Sequence, residues 1–315
     1  MQNKFYYPVK LVENVRDGLV EQEHSGFVVL KLGGEEIDFG DTLDYPFYLR
    51  SCAKPLQASL LIDEKIDEEI NLSSEEIAIA CASHAGEDCH VQTAKSFMYK
   101  ADVCEGWIRC GLHTPLAKSI TCDEPTVFHN NCCGKHILML ALAKHFGFDV
   151  NTYYEKNHPL QIMIKEKIYE LCEYSGDTPV TKDGCGVPIF SMPLKNMLIG
   201  YFNLFLDDKY KKIKEAFLNN PYIIGGEDRL DTKIMQSSPN CVAKVGAEGL
   251  CIVVNTKTHD GFIVKILDSD MPTREFVVLN LLNKLGWGKF EINNDIKTLH
   301  GDIVGKKEFL IDILK

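Results

Sequence analysis

Arg50-Ser51-Cys52-Ala53-Lys54-Pro55-Leu56-Gln57-Ala58 joins an extended apolar run, Tyr45 to Leu49, to a helical pattern carried by Leu56, Leu60 and Leu61. Proline has no N–H and is tolerated in a helix only within the first turn, so Pro55 requires the helix to begin close to Ser51. Ser51 and Lys54 are then three residues apart on one face of a helix N-terminus. A serine hydroxyl is a poor nucleophile until a neighbour takes its proton, and a lysine can do so if burial keeps it neutral. The unpaired N–H groups of the first turn offer a place for a developing oxyanion. This is the S-x-x-K arrangement of acylating serine enzymes. Taken alone, the same residues also describe an ordinary helix start with a solvated lysine.

On the N-terminal side, residues 5 to 49 read as strands. Gly26 to Leu32 and Glu36 to Phe39 flank Gly33-Gly34, a turn pair suited to a hairpin. On the C-terminal side, Ser73 with Glu76 forms a capping box for Ile77 to Cys81, and a helix is expected from His90 to Lys100. Asn131 to His136 opens a further apolar helix. Asn157 is expected to cap the helix that carries Met163, Ile164 and Ile168, with Pro159 just inside it. Cys241 to Val245, Leu250 to Val254 and Phe262 to Leu267 read as a three-stranded meander, followed by a helix with Val277, Val278, Leu281 and Leu282 on one face. Strands gather at both ends and helices fill the middle. The expected fold is α+β, with an antiparallel sheet built from both chain ends (about 1–58 and 240–315) and a mainly helical insertion (about 59–239). No linker or repeat divides the 315 residues, which read as one unit.

A net charge of -11 argues against nucleic acid or an anionic membrane surface as partner. Met1 to Pro8 contains no apolar signal region, and nowhere do 18 apolar residues run together, so a cytosolic protein is expected. The 12 cysteines then suggest free thiols and a metal rather than a disulfide framework, and no C-x-x-C pair is present.

Four further groups could carry chemistry. Ser83 follows a short helix, beside His84. Cys132 and His136 are spaced i,i+4 on a helix, and the tight turn Asp183-Gly184-Cys185-Gly186 could bring up a second thiolate, a set that suits zinc. By spacing alone, inert buried thiols fit these cysteines equally well. Lys265 lies mid-strand in Phe262-Ile263-Val264-Lys265-Ile266-Leu267, where it either snorkels from an edge or points into a cleft.

Six stretches together resemble one family. They are Arg50 to Ala58, Cys81 to Glu87, Asn131 to His136, Asp183 to Pro188, Gly225 to Thr232 and Lys244 to Gly249. In order and along nearly the whole chain, they look like the L-asparaginases of the Rhizobium etli type, also called asparaginase II or class 3. The resemblance implies a fold similar to serine β-lactamases and glutaminases. It implies two serine–lysine dyads, Ser51 with Lys54 and Ser83 with Lys265. It also implies a Zn2+ site at Cys132, Lys135 and Cys185, choosing Lys135 over the His136 that spacing favoured. Substrate contacts are expected from Arg50, His84, Asp183 and Arg229, and a homodimer is expected. Cys133 departs from the small serine usual in the family.

The activity so implied is hydrolysis of L-asparagine to L-aspartate and ammonia through an acyl-serine, with the zinc positioning substrate. Two other readings stay open: a glutaminase or other serine amidohydrolase or peptidase on this fold, and a non-catalytic zinc-binding sensor. One methylene separates asparagine from glutamine, and pockets discriminate such pairs only modestly.

Overall fold

The structure is a computed structural model describing residues 6–42 and 44–313. Met1–Phe5, part of the stretch read for a signal segment and for the first strand, lie outside the described residues. The N-terminal part forms β1 (Val9–Arg16), β2 (Leu19–Leu32), β3 (Glu35–Phe39) and β4 (Phe47–Tyr48). The hairpin at Gly33-Gly34 is as the sequence predicts, with Leu32 opposite Glu35. The helical region then runs through α1 (Ala53–Asp63), α2 (Ile66–Glu69), α3 (Ser74–Cys81), α4 (Asp88–Lys100), α5 (Cys133–His145) and α6 (Pro159–Leu171). Short pairs β5 (Thr181–Lys182), β6 (Pro188–Ile189) and β7 (Ser191–Met192) interrupt it before α7 (Leu194–Phe205), α8 (Lys211–Asn219), α9 (Pro221–Ile224) and α10 (Leu230–Ser237). The C-terminal part forms β8 (Cys241–Val245), β9 (Leu250–Asn255), β10 (Asp260–Ile266), α11 (Met271–Lys284), β11 (Asp295–Lys297) and β12 (Ile303–Phe309).

The fold is α+β. The main sheet runs β11-β12-β1-β2-β10-β9-β8, with β3 also pairing to β2, and every pairing in it is antiparallel. It is therefore assembled from both chain ends, joined where β2 meets β10. β8, β9 and most of β10 are buried throughout, because helices cover both faces there. Phe262 stacks on Trp287 just beyond α11, with ring centroids 5.8 Å apart. A Cβ built on the neighbouring Gly261 would meet Phe202 of α7 at 2.9 Å, so α7 lies over the opposite face.

Local signals hold at the starts of α3 and, for its proline, α6. The Ser73 and Glu76 capping box is present, and Pro159 sits in the first turn of α6. The cap of α6 is His158, whose ring accepts the N–H of Leu160, rather than the expected Asn157. Asn157 lies one residue too early to reach those N–H groups. No described helix is long and apolar enough to cross a membrane.

Candidate active site

Four elements converge where the Ser51 stretch ends. Arg50–Cys52 form a single 3-10 turn that runs directly into α1, so Pro55 falls in the first helical turn. Arg50 itself has φ of +48°. A non-glycine residue in this left-handed region stores strain of order 1–3 kcal/mol, and such strain collects where a fold must hold a side chain in one direction. Leu49 is tied to Phe190 by a backbone hydrogen bond of 3.0 Å, and the Arg50 Nε donates to Asp183 Oδ1 at 3.1 Å. Those contacts over-determine the turn and leave Ser51 half-buried at the helix start.

The end of α3 and the start of α5 meet the same place. They approach closely because Gly134 has no side chain: a Cβ there would lie 1.9 Å from the Ile79 carbonyl oxygen. After α3 the chain extends, so the Ala82 carbonyl is released from helical bonding, and the Ser83 N–H donates to the Ile224 oxygen at 2.9 Å. Asn130 accepts the Cys132 N–H at 2.9 Å and fixes the start of α5.

Two buried amines meet on one hydroxyl. Lys54 is fully buried and donates to Ala82 O at 2.6 Å, to Asn131 O at 2.7 Å and to Ser83 Oγ at 3.1 Å. Three acceptors match the three hydrogens of an ammonium. Lys244, also fully buried, lies 2.8 Å from Ser83 Oγ and 3.0 Å from the Val245 oxygen. Burial lowers its pKa to about 8, with the Asp231 carboxylate, 3.5 Å away, resisting the fall and the Lys54 charge adding to it. A lysine so placed is neutral in part near neutral pH and can accept a proton. The neighbouring thiols are not competing nucleophiles, since burial pushes both Cys52 and Cys81 up to about 12.

The second cluster lies across Asp183. Lys135 Nζ donates to Cys185 Sγ at 3.0 Å and pairs with Asp183 Oδ2 at 3.6 Å. Burial disfavours the Lys135 charge, but Cys132, Cys185 and Asp183 outweigh it and raise its pKa. Cys132 and Cys185 share a hydrogen bond that holds Cys132 well below the usual thiol range and Cys185 above it. In Asp183, burial is outweighed by the Lys135 and Arg50 charges, which lower its carboxyl. Asp183 thus links the Ser51 turn to the thiol cluster.

The sequence profile of the L-asparaginase II family matches residues 12–308. The chain belongs to the L-asparaginase II family.

Membership of this family makes the protein an amidohydrolase. No sequence among the curated proteins matches it. Among solved structures it is similar to a putative β-lactamase from Bacteroides dorei, at 11% identity over 82% of this chain and 93% of that one, with a TM-score of 0.46. It is also similar to a β-lactamase from Mycobacterium bovis, at 13% identity over 82% and 94% of the two chains and a TM-score of 0.41. A D-alanine carboxypeptidase from Burkholderia cenocepacia has 12% identity over 80% and 91%, with a TM-score of 0.38.

For this family member, the expected serine–lysine pairs need re-drawing. Among the described residues, Ser51 is not a hydrogen-bond partner of the Lys54 amine, which reaches past it to Ser83. Lys265 does not approach Ser83. Its amine donates to the Glu248 oxygen and, at 3.0 Å, to the Ile266 oxygen. It lines a shallow cleft of about 300 Å³ together with Tyr45, Tyr48, Arg50 and Glu248. The lysine at Ser83 is Lys244.

The sheet register explains the difference. Lys244 lies opposite Ile252, and Ile252 opposite Ile263, while Lys265 lies opposite Leu250. Both lysines therefore face the same side of the sheet, but Lys265 stands two strands away, a lateral distance of about 10 Å. Edge strand β8 packs beside both the Ser51 turn and α10, and β9 also meets the turn.

The expected substrate contacts divide. Arg50 and Asp183 face one another beside Ser51. His84 is fully buried and has both ring nitrogens engaged: Nδ1 accepts the Gly86 N–H at 3.2 Å, and Nε2 lies 3.2 Å from Cys133 Sγ. Burial, with the His90, Lys54 and Arg229 charges, holds His84 well below its ordinary value and hence neutral. In this structure its ring is packed against Cys133. Arg229 is half-buried, and its Nε has no hydrogen-bond partner among the described residues. Lys135 turns to Cys185, whereas His136 turns away, its Nδ1 lying 2.6 Å from the Tyr153 hydroxyl.

Two residues of the site had no assigned role in the sequence. Lys244 stands in Cys241-Val242-Ala243-Lys244-Val245, and a lysine inside an all-apolar strand is the signal that could have singled it out. Asp231 had no such signal, because an acidic residue in the first turn of a helix is ordinary.

Proposed function

We propose that the protein hydrolyses the side-chain amide of L-asparagine to L-aspartate and ammonia. The observation that carries this reading is the Ser83 hydroxyl held between two buried lysines, one of them lowered to about 8. Neutral Lys244 takes the proton of Ser83, and the Lys54 ammonium supports the negative charge left on that oxygen. Ser83 in turn takes the proton of Ser51, which attacks the amide carbon and forms an acyl-serine. Ser51 is assigned the attack because it is half-buried at a helix start, whereas Ser83 is 2% exposed. The tetrahedral oxyanion forms at the start of α1, where the helix N-terminus favours negative charge. The proton held on Lys244 returns through Ser83 to the departing ammonia, and water, deprotonated by the same route, releases aspartate. Arg50 and Asp183 offer opposite charges to the α-carboxylate and α-ammonium of the substrate.

A second reading has its own support. Ser83 touches Lys244 directly, so Ser83 can itself attack if substrate reaches it. The deciding experiment is ammonia release from L-asparagine by the purified protein, with L-glutamine alongside. No release from either, with folded protein, overturns the amidohydrolase assignment of substrate. Faster release from glutamine replaces the substrate.

The pH dependence follows from Lys244. The active form is the neutral amine, so kcat/KM rises with pH and levels off above about 8. A profile that falls over the same range would contradict a lysine base.

Cys132, Lys135 and Cys185 meet as two buried thiols and an amine, donor types that zinc accepts once Lys135 gives up the proton its neighbours now hold on it, and the described residues offer no group of three His, Cys, Asp or Glu side chains that would hold a metal instead. Cys132, Lys135 and Cys185 would hold the zinc, and the ion would supply positive charge for orienting the substrate. Chelation is expected to raise KM more than it lowers kcat, and Cys185→Ser to do the same. Metal analysis finding no zinc, or chelation that removes kcat with KM unchanged, would defeat this part.

A further inference from the structure

We propose that Asp231 is a positioning residue that holds Lys244 on Ser83 and sets the pH at which that lysine can accept a proton. The inference rests on the reading of Lys244 as proton acceptor. Asp231 is fully buried, and neither of its carboxylate oxygens has a hydrogen-bond partner among the described residues. A buried carboxylate left without such partners is normally avoided. Among the described residues, its one charged neighbour at ion-pair distance is Lys244 Nζ, 3.5 Å from Oδ2.

The chain is shaped to keep the carboxylate there. Thr232 accepts the Gly226 N–H at 3.0 Å and donates to the Pro221 oxygen at 3.1 Å, which pins the Gly225-Gly226 bend against the start of α10. A Cβ on Gly225 would stand 2.7 Å from Asp231 Oδ1 and 2.4 Å from Thr232 Oγ1. The bend is thus built around the carboxylate.

The charges around Lys244 explain the need. Lys54 and Arg229 bring positive charge, and the thiols of Cys52, Cys81 and Cys251 are all raised by burial and so neutral. Asp231 is the anion in this set. Without it, two amines on one hydroxyl would repel, and burial together with Lys54 would depress Lys244 further. Its oxygens stand beyond hydrogen-bond distance, which leaves the amine directed at Ser83 instead of locked in a tight ion pair.

Two measurements test this. The first is the pH profile of kcat/KM for ammonia release from L-asparagine, across roughly pH 6 to 10. Asp231→Asn should move the rising limb down by about one pH unit or more, and Asp231→Glu should leave it in place. An unmoved limb in active Asp231→Asn overturns the proposal. The second needs no substrate: Tm for Asp231→Asn, Lys244→Met and the double variant. The expected result is a loss in the double variant smaller than the sum of the two single losses, or recovered folding if Asp231→Asn alone does not fold. Additive losses, or a double variant that folds no better, overturn it. A parent protein that releases no ammonia but shows the thermal coupling sinks the proposed activity and leaves the ion pair standing.

Discussion

Lys244→Met should lower kcat/KM for amide hydrolysis by about 10³-fold, within the range found when a positioned general base is removed. Lys265→Met should stay within about tenfold of the parent on the same scale. The two lysines share a face of one sheet and a lowered pKa, both caused first by burial, so neither facing nor titration separates them. Contact does: Lys244 touches the Ser83 hydroxyl, and Lys265 touches the backbone oxygens of Glu248, in the β8–β9 turn, and of Ile266, at the end of β10. Steady-state assays on both variants, with circular dichroism to confirm folding, make the comparison. If Lys265→Met is the more damaging, the proton path drawn here is wrong.

Ser51→Ala and Ser83→Ala should each reduce turnover by about 10³-fold or more, and the double variant should be little worse than either, because the two hydroxyls act as one unit. Their roles separate in a trapping experiment. An electrophilic analogue of asparagine, such as a diazoketone, should label Ser51 in the parent protein, as read by peptide mass spectrometry. Ser83→Ala should slow the labelling without moving it, since Ser83 carries the proton and not the acyl group. Label found on Ser83 in the parent would transfer the nucleophile role to that residue. Full additivity of the two alanine substitutions would show independent functions and remove the relay.

Much of this was legible in the residues, for reasons that are local. Pro55 dates the start of α1 to within a turn, because a missing N–H is tolerable only there. Gly33-Gly34 marks its hairpin through the turn geometry that glycine permits. Ser73 and Glu76 mark a helix start through reciprocal hydrogen bonds three residues apart. The gathering of strand patterns at both ends was enough to expect one antiparallel sheet made from both. Cap assignment failed by one residue at His158, where an imidazole did what asparagine was expected to do.

The site was legible only in part. The six motifs named Ser51, Lys54, Ser83, Cys132, Lys135 and Cys185 as candidates, but what each touches could not be read along the chain. A lysine side chain spans a full helical turn, so Lys54 can serve the serine three residues back or one 29 residues ahead, and it serves the latter. Strand alternation, with its period of two, assigns Lys244 and Lys265 to a face and says nothing about which strand lies next to Ser83. His84 reads as an available imidazole until packing occupies both its nitrogens.

The sequence by itself determined the hairpin, the meander, several helix starts, the sheet's origin in both chain ends and the residue types available for amide chemistry, but not β11, β12 or α7. The features it determined depend on backbone propensity, capping and hydrophobic period, which act over a few residues. Tertiary structure alone decided which lysine meets Ser83, where Asp231 places its charge, and that Asp183 joins the serine turn to the thiol cluster. Burial sets those outcomes: the fall of Lys244 to about 8 comes from removing water around it, and no stretch of chain carries that information until the helices close over the sheet.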